Sequence, residues 1–159
     1  MRGRILARRP KLLILDEPTN GLDPVAKQEI LTELMRVVED DSRTILYSSH
    51  NTQDVEQISD SITFIDRGQV IASSNRDEFL EKWKFIKLHA PEGWKVPSVQ
   101  GLRRESCHRN LHALSFSRFG GELPNELQAT GVVIESIESM TLEEIFVSSV
   151  MRGREECQS

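Results

Sequence analysis

Two adjacent carboxylates, Asp16 and Glu17, directly follow a short apolar run at residues 12–15. Four consecutive aliphatic residues predict a strand buried on both faces of a sheet. Open α/β sheets place their ligand crevice outside the carboxyl ends of such strands. Mg²⁺ prefers oxygen ligands and keeps much of its water, so one carboxylate together with phosphate oxygens can hold it. A second carboxylate beside the first can polarise an attacking water as a general base.

His50 is the third candidate. It follows the predicted strand 44–47 through Ser48 and Ser49, so it also lies at the carboxyl end of a strand. Neighbouring parallel strands lie about 4.8 Å apart, and the predicted helix 24–40 supplies the crossover that a βαβ unit needs. We therefore expect His50 close to Asp16 and Glu17. Without further signals, an Asp-Glu pair after a strand is equally consistent with a solvated strand end.

The pattern of elements that positions these residues changes near residue 83. Asp23 and Pro24 offer an N-cap followed by proline at the first helical position. The predicted strands are 12–15, 44–47, 62–66, 69–73, 85–89, 102–107, 111–116 and 132–137, and the predicted helices are 24–40, 52–59, 76–83, 123–129 and 142–151. Thr141 and Glu144 form a capping box before the last helix. We predict an α/β fold over residues 1–83 and a small α+β appendage over residues 84–159.

Composition narrows the classes of function. The 159 residues carry a net charge of −5, which argues against a nucleic-acid partner. The longest aliphatic run is far shorter than the roughly 20 residues that cross a bilayer, so we expect any membrane association to come through a partner. The two cysteines, Cys107 and Cys157, suit a reducing cytosol. Cys107, His108 and His112 are a weak candidate metal cluster, since such residues in a hydrophilic stretch are more often solvated surface.

Specific motifs then surround the candidate residues. Residues 12–24, Leu-Leu-Ile-Leu-Asp-Glu-Pro-Thr-Asn-Gly-Leu-Asp-Pro, resemble the Walker B motif and D-loop of ABC-transporter ATPases. Residues 48–50, Ser-Ser-His, resemble the H-loop, and residues 3–10 are similar to the helix after the signature sequence. The ending Met-Thr-Leu-Glu-Glu-Ile-Phe at 140–146 is similar to subunits that serve ABC-2 exporters. This resemblance makes the solvated strand end a poor explanation of Asp16 and Glu17.

The resemblance implies a role for each matching residue. Asp16 would hold Mg²⁺ through water, Glu17 would be the catalytic base, and His50 would contact the γ-phosphate of ATP. Asp23 would belong to the D-loop at the dimer interface. The implied cofactors are ATP and Mg²⁺, and the implied partners are a transmembrane permease and a second ATP-binding subunit, without nucleic acid. The implied location is cytoplasmic, peripheral on the inner face of the cell membrane.

The sequence also departs from the family pattern. None of its nine glycines is followed by lysine, so the Gly-x-x-x-x-Gly-Lys phosphate-binding loop is not among these residues. We therefore expect the C-terminal part of a P-loop NTPase sheet core that lacks the Walker A and signature motifs and does not hydrolyse ATP alone. The strand 12–15 should then keep an open edge and uncovered apolar surface. The alternative is a non-catalytic regulatory or interaction module derived from such an ATPase.

Overall fold

A computed structural model describes residues 10–156, so residues 3–9 of the helix predicted over residues 3–10 lie outside the described part. The fold is mixed α/β, with one parallel and two antiparallel sheets among the described residues. The elements in chain order are β1 Leu12–Asp16, α1 Pro24–Val38, β2 Thr44–Ser48, α2 Thr52–Ile58, β3 Ser61–Asp66, β4 Gln69–Asn75, α3 Arg76–Lys82, β5 Lys84–His89, β6 Leu102–His108, β7 Leu111–Phe116, α4 Leu123–Gln128, β8 Val133–Ser139 and α5 Leu142–Glu156. Two compact units, 1–59 and 60–159, divide the chain.

The first unit is built on a parallel pair of strands, β1 and β2. Their register places Leu13 beside Ile45 and Asp16 beside Ser48, so both strands end at the same level. The crossover helix α1 begins at the predicted cap, where Asp23 Oδ1 accepts hydrogen bonds from the next helical amides. Its apolar stripe buries Leu31, Leu34 and Val37. The predicted βαβ arrangement thus brings the candidate residues to one edge.

The outer face of this sheet is uncovered. Leu12, Ile14 and Leu46 are 55%, 66% and 60% exposed, whereas Leu13 is 7% exposed. Alternate residues of a strand point to opposite faces, so β1 buries one face only. The expectation of uncovered apolar surface is therefore confirmed, and burial of the second face stays a prediction for a larger assembly of strands and helices. Because the described sheet has just two strands, each keeps an open edge.

The second unit holds a hairpin and a four-stranded antiparallel sheet. The hairpin β3–β4 turns at Arg67 and Gly68, which both have positive φ, as a tight two-residue turn requires. The larger sheet has the order β6-β7-β5-β8. Its core contains fully buried side chains from strands β5 and β7 and from α4, namely Ile86, Leu88, Leu114, Phe116 and Leu127. The capping box at Thr141 and Glu144 forms as predicted, in both directions.

The division between the units falls earlier than the composition change near residue 83. The ring of Phe64, in β3, lies 5.3 Å from that of Phe79 and 5.5 Å from that of Phe146. These contacts attach the hairpin to helices α3 and α5 of the second unit, so the compact units separate between Ser59 and Asp60. Because the hairpin packs there, residue 83 is not a boundary in packing. The assignment of 1–83 and 84–159 to different functions stays a prediction.

Candidate active site

Glu17 occupies the turn that ends β1. Its backbone N–H donates to Ser48 O at 3.0 Å, and its own carbonyl accepts from Asn20 N at 3.2 Å. Its φ is 45°, in the left-handed region that side-chain-bearing residues rarely adopt. Such conformations cost on the order of 1–3 kcal/mol and occur where the surrounding structure fixes them, often at functional sites. Here the conformation directs the carboxylate toward the end of β2.

His50 meets that carboxylate. Glu17 Oε1 accepts two hydrogen bonds from His50, one from the backbone N–H and one from ring Nδ1, both at 2.9 Å. Ser49 Oγ donates to the other oxygen at 3.4 Å. An ionised carboxylate can only accept, so Nδ1 carries the proton in this pair and Nε2 is the ring nitrogen available to another group. The side chain of His50 is 75% exposed and that of Glu17 32%.

These contacts determine the charge of Glu17. The side-chain hydrogen bond from His50 is the largest influence and lowers the pKa of Glu17 below its ordinary value of 4.5. Desolvation opposes this, and the His50 amide and Ser49 hydroxyl lower the pKa further. Glu17 is therefore ionised at neutral pH. It can orient a water or hold the imidazole in one tautomer.

Asp16 ends β1 with an exposed carboxylate whose Oδ1 accepts a hydrogen bond from Ser48 Oγ. The group fits a Mg²⁺ ligand, since it is a hard oxygen donor with remaining acceptor capacity. Among residues 10–156, however, no three acidic, histidine or cysteine side chains form a cluster that could hold a metal. An ion beside Asp16 would therefore take its other ligands from water and substrate phosphates, as Mg²⁺ commonly does.

Asp23 is the fourth predicted site residue, and its side chain contacts the first residues of α1. Its Oδ1 accepts from Val25 N at 3.0 Å and from Ala26 N at 3.1 Å, which caps α1. The residue is exposed. The structure therefore gives Asp23 a helix-capping role. Its proposed role at a dimer interface stays a prediction.

The sequence analysis missed a buried polar network behind the Glu17–His50 pair. Thr19 and Asp54 are 6% and 3% exposed, and Thr19 Oγ1 donates to Asp54 Oδ2 at 2.9 Å. Lys27 Nζ forms an ion pair with Asp54 Oδ1 at 2.6 Å. The hydroxyl of Tyr47 lies 3.0 Å from Thr19 Oγ1. An acidic residue in a short helix usually faces solvent, so its sequence carried no signal of burial.

A polar hollow of about 180 Å³ connects the network to the candidate site. Its walls come from the loop after β1, the first turn of α1 and the segment between β2 and α2. The lining residues include Glu17, Thr19, Lys27, His50, Asn51 and Asp54. The predicted base, the predicted phosphate-contacting histidine and the ion pair of Lys27 with the buried Asp54 thus line one hollow.

The weaker metal candidate is not supported as a three-ligand site. Cys107 Sγ lies 3.4 Å from His112 Nε2, and His112 Nδ1 lies 3.1 Å from Glu105 Oε1. His108 is exposed. No group of three potential ligands close enough for a metal is present in the described part of the chain. The structure therefore joins Cys107 and His112 in a hydrogen-bonded pair on adjacent strands.

Among residues 10–156, no helix combines the length and apolar character required to span a membrane.

A family model described as "AAA domain, putative AbiEii toxin, Type IV TA system" matches residues 4–53. This range contains β1, α1, β2 and His50.

Similar proteins extend the match beyond residue 53. The chain is 40% identical over 108 residues to the energy-coupling factor transporter ATP-binding protein EcfA2 of Caldanaerobacter subterraneus, which covers 67% of this chain and 36% of that protein. It is 33% identical over 102 residues to EcfA2 of Staphylococcus epidermidis, covering 64% and 34%. It is 47% identical over 72 residues to the lantibiotic transport ATP-binding protein SrtF of Streptococcus pyogenes, covering 45% and 31%.

These matches confirm the resemblance predicted from residues 12–24 and 48–50. Over about two thirds of its length, the chain is homologous to ATP-binding proteins of ABC transporters. The mixed parallel and antiparallel α/β fold is consistent with a P-loop NTPase-like AAA domain. The chain spans about a third of the length of the curated relatives that it matches.

Proposed function

We propose that residues 1–159 supply the Walker B, D-loop and H-loop part of an ATP-hydrolysing subunit of an ABC transporter. The observation that carries this proposal is the double hydrogen bond from His50 to Glu17 Oε1, made across the carboxyl ends of two adjacent parallel strands. A solvated strand end would not need a left-handed glutamate held by both the backbone and the ring of one histidine. The match of residues 4–53 to an AAA-domain model and the similarity of about two thirds of the chain to transporter ATP-binding proteins support the same assignment.

In this function, Glu17 is the group that orients the attacking water. Its lowered pKa keeps it ionised, so it accepts a hydrogen bond from the water as well as from the imidazole. The contact with His50 Nδ1 fixes the ring and leaves Nε2 for the γ-phosphate. Asp16 would hold Mg²⁺ through water, and the ion would neutralise charge on the phosphates.

The remaining parts of the nucleotide-binding site must come from other polypeptide segments. The phosphate-binding loop is not among residues 1–159, so we propose that β1 and β2 belong to a larger parallel sheet whose other strands carry that loop. Those strands would pair at the open edges of β1 and β2, and the uncovered Leu12, Ile14 and Leu46 would be covered by another layer of the same domain. In this proposal, residues 84–159 are an accessory α+β part.

The transport role extends the proposal to partners. Asp23 would lie in a loop that faces a second ATP-binding subunit, and a transmembrane permease would bind the subunit to the cytoplasmic face of the membrane. The similarity of residues 140–146 to subunits of ABC-2 exporters supports export as the direction of transport. ATP and Mg²⁺ would be the substrate and cofactor.

The test is Glu17→Gln in the whole polypeptide that carries residues 1–159. We expect ATP binding to persist while turnover falls about 100-fold or more, because the substitution removes the base and keeps the size of the side chain. ATP binding is measured with a fluorescent nucleotide and turnover by phosphate release. Glu29→Gln is the matched control, since it removes an exposed carboxylate of α1. Near-normal turnover by Glu17→Gln would contradict the assignment of the base.

A further inference from the structure

Asp54 carries a buried carboxylate that joins separate segments of the first unit. It lies in α2 and is 3% exposed. Its Oδ2 accepts a hydrogen bond from Thr19, in the loop after β1. Its Oδ1 is paired with Lys27, in the first part of α1. One side chain thus ties the beginning of α2 to both the loop after β1 and the crossover helix.

The network reaches β2 through the hydroxyl of Thr19. That hydroxyl has one proton, which it donates to Asp54. Tyr47, at the end of β2, must therefore donate in its 3.0 Å contact with Thr19 Oγ1. The direction of every hydrogen bond in the network is fixed by the negative charge on Asp54. An uncharged residue at position 54 would remove the partner of Lys27 and the strongest acceptor for Thr19.

This anchor lies next to both members of the candidate catalytic pair. Thr19 follows Glu17 by two residues, and Asp54 follows His50 by four. The intervening Asn51 caps α2 by accepting hydrogen bonds from Gln53 N and Asp54 N, so the segment between His50 and Asp54 has little freedom. A bond between positions 19 and 54 therefore limits how far the loops carrying Glu17 and His50 can separate.

We propose that Asp54 is a positioning residue that holds the strand-end loops of β1 and β2 together, so that Glu17 and His50 stay in hydrogen-bond contact. The catalytic consequence of that contact rests on the function proposed above. A buried ion pair is often no more stabilising than an apolar group of the same size. Stability alone is therefore a weak explanation for a buried charge in this place.

The test follows the Glu17–His50 contact through the ring of His50. Glu17 Oε1 accepts a hydrogen bond from Nδ1, so the contact holds the neutral ring in its Nδ1-protonated tautomer. If the loops that carry Glu17 and His50 separate, the ring loses this partner and its Nε2-protonated tautomer should become more populated. A role of Asp54 in stability alone would leave the tautomer of the folded protein unchanged.

We would measure the ring ¹⁵N chemical shifts of His50 at about pH 8 in the whole polypeptide that carries residues 1–159, with His50→Gln identifying the signals. We expect the share of the Nδ1-protonated tautomer to fall in Asp54→Asn, toward its value in Glu17→Ala, and to stay unchanged in the control Glu29→Gln. A conservative Asp54→Glu variant should return part of the lost share. An unchanged share in Asp54→Asn would overturn the proposal.

A second variant and a second measurement complete the test. If Asp54→Asn does not fold, Thr19→Val removes the hydrogen bond to Asp54 while keeping the ion pair with Lys27, and it should lower the share of the Nδ1-protonated tautomer by a smaller amount. No change in that variant would overturn the proposal. ATP turnover is measured separately, and we expect Asp54→Asn to reduce kcat by about tenfold to about a hundredfold. A tautomer change in Asp54→Asn, together with no ATP turnover by the unchanged polypeptide, would support the positioning and contradict the proposed function.

Discussion

Both compact units of the chain expose some apolar side chains, and they differ at the strands that form their sheets. In the antiparallel sheet of the second unit, Ile86, Leu88, Leu114 and Phe116 are all 0% exposed. In the parallel sheet of the first unit, Leu12, Ile14 and Leu46 are more than half exposed. The second unit therefore encloses its own core. The first unit places its polar groups at the carboxyl ends of two adjacent strands and leaves an apolar face for another surface to cover.

This difference indicates where the chain depends on partners. A sheet that carries an active site at the carboxyl ends of its strands must leave those ends accessible, and a parallel sheet needs cover on both faces. The first unit meets the first condition with its Glu17–His50 pair. It does not meet the second with the described residues, because Leu12, Ile14 and Leu46 are exposed on one face. The sheet of the second unit is antiparallel, and such a sheet can face water on one side, as Val133 and Ile137 of β8 do.

The comparison predicts unequal costs for the same core substitution in the two units. Leu114→Ala, in the closed core, should lower the free energy of unfolding by about 4 kcal/mol, near the upper part of the range for such changes. Leu13→Ala should cost about 2 kcal/mol, because Leu13 lies in a two-stranded sheet with an open side. Hydrogen exchange followed by mass spectrometry measures both units in one sample. Equal costs at the two leucines would show that the units are equally well packed.

At the uncovered face of β1 and β2, we expect substitutions to change stability less and to change solubility measurably. Ile14→Thr replaces a 66% exposed side chain in β1 and should reduce light scattering by the isolated chain, because open apolar edges promote association. The change in unfolding free energy should stay within about 0.5 kcal/mol, as is usual for exposed positions. Val133→Thr, at a 65% exposed position in β8, is the matched control. If it reduced scattering equally, the uncovered parallel sheet would have no special role in aggregation.

Local sequence signals predicted most elements of the fold. Strand β7 has the predicted bounds, Leu111–Phe116, because its apolar residues lie between clear turn signals. The cap at Asp23 and the hairpin turn at Arg67 and Gly68 also form where short-range chemistry demands them. Each of these features depends on neighbours within a few residues. The sequence therefore contains the complete information for them.

Features that depend on distant residues were harder to predict. The separation of the units at residue 59 follows from the contact of Phe64 with Phe146, which no local pattern reveals. The burial of Asp54 depends on Thr19 and Lys27, which are far away in the sequence. The pairing of Glu17 with His50 could be predicted, because strand ends and a crossover helix are local signals that together define a parallel register. The left-handed backbone of Glu17 could not be predicted, since it accompanies that pairing.

The smallest expected effect is the loss of stability of each unit as the pH falls. The hydrogen bond from His50 lowers the pKa of Glu17 in the folded chain. Contacts with Lys82 and Ser74 likewise lower the pKa of Glu78 in the second unit. A carboxyl whose folded pKa is depressed stabilises the fold above its unfolded pKa, and this contribution disappears as the pH falls through the folded pKa. Both groups should therefore weaken their own unit below about pH 4.5, the ordinary value for Glu. Hydrogen exchange at pH values from 6 to 3, corrected for the intrinsic exchange rate, separates them. Glu17→Gln should flatten the acid dependence in residues 10–59 and leave residues 60–156 unchanged, whereas Glu78→Gln should do the reverse. A change in both units from either variant would show that they unfold as one cooperative body, and the contrast between an open and a self-contained unit would fail.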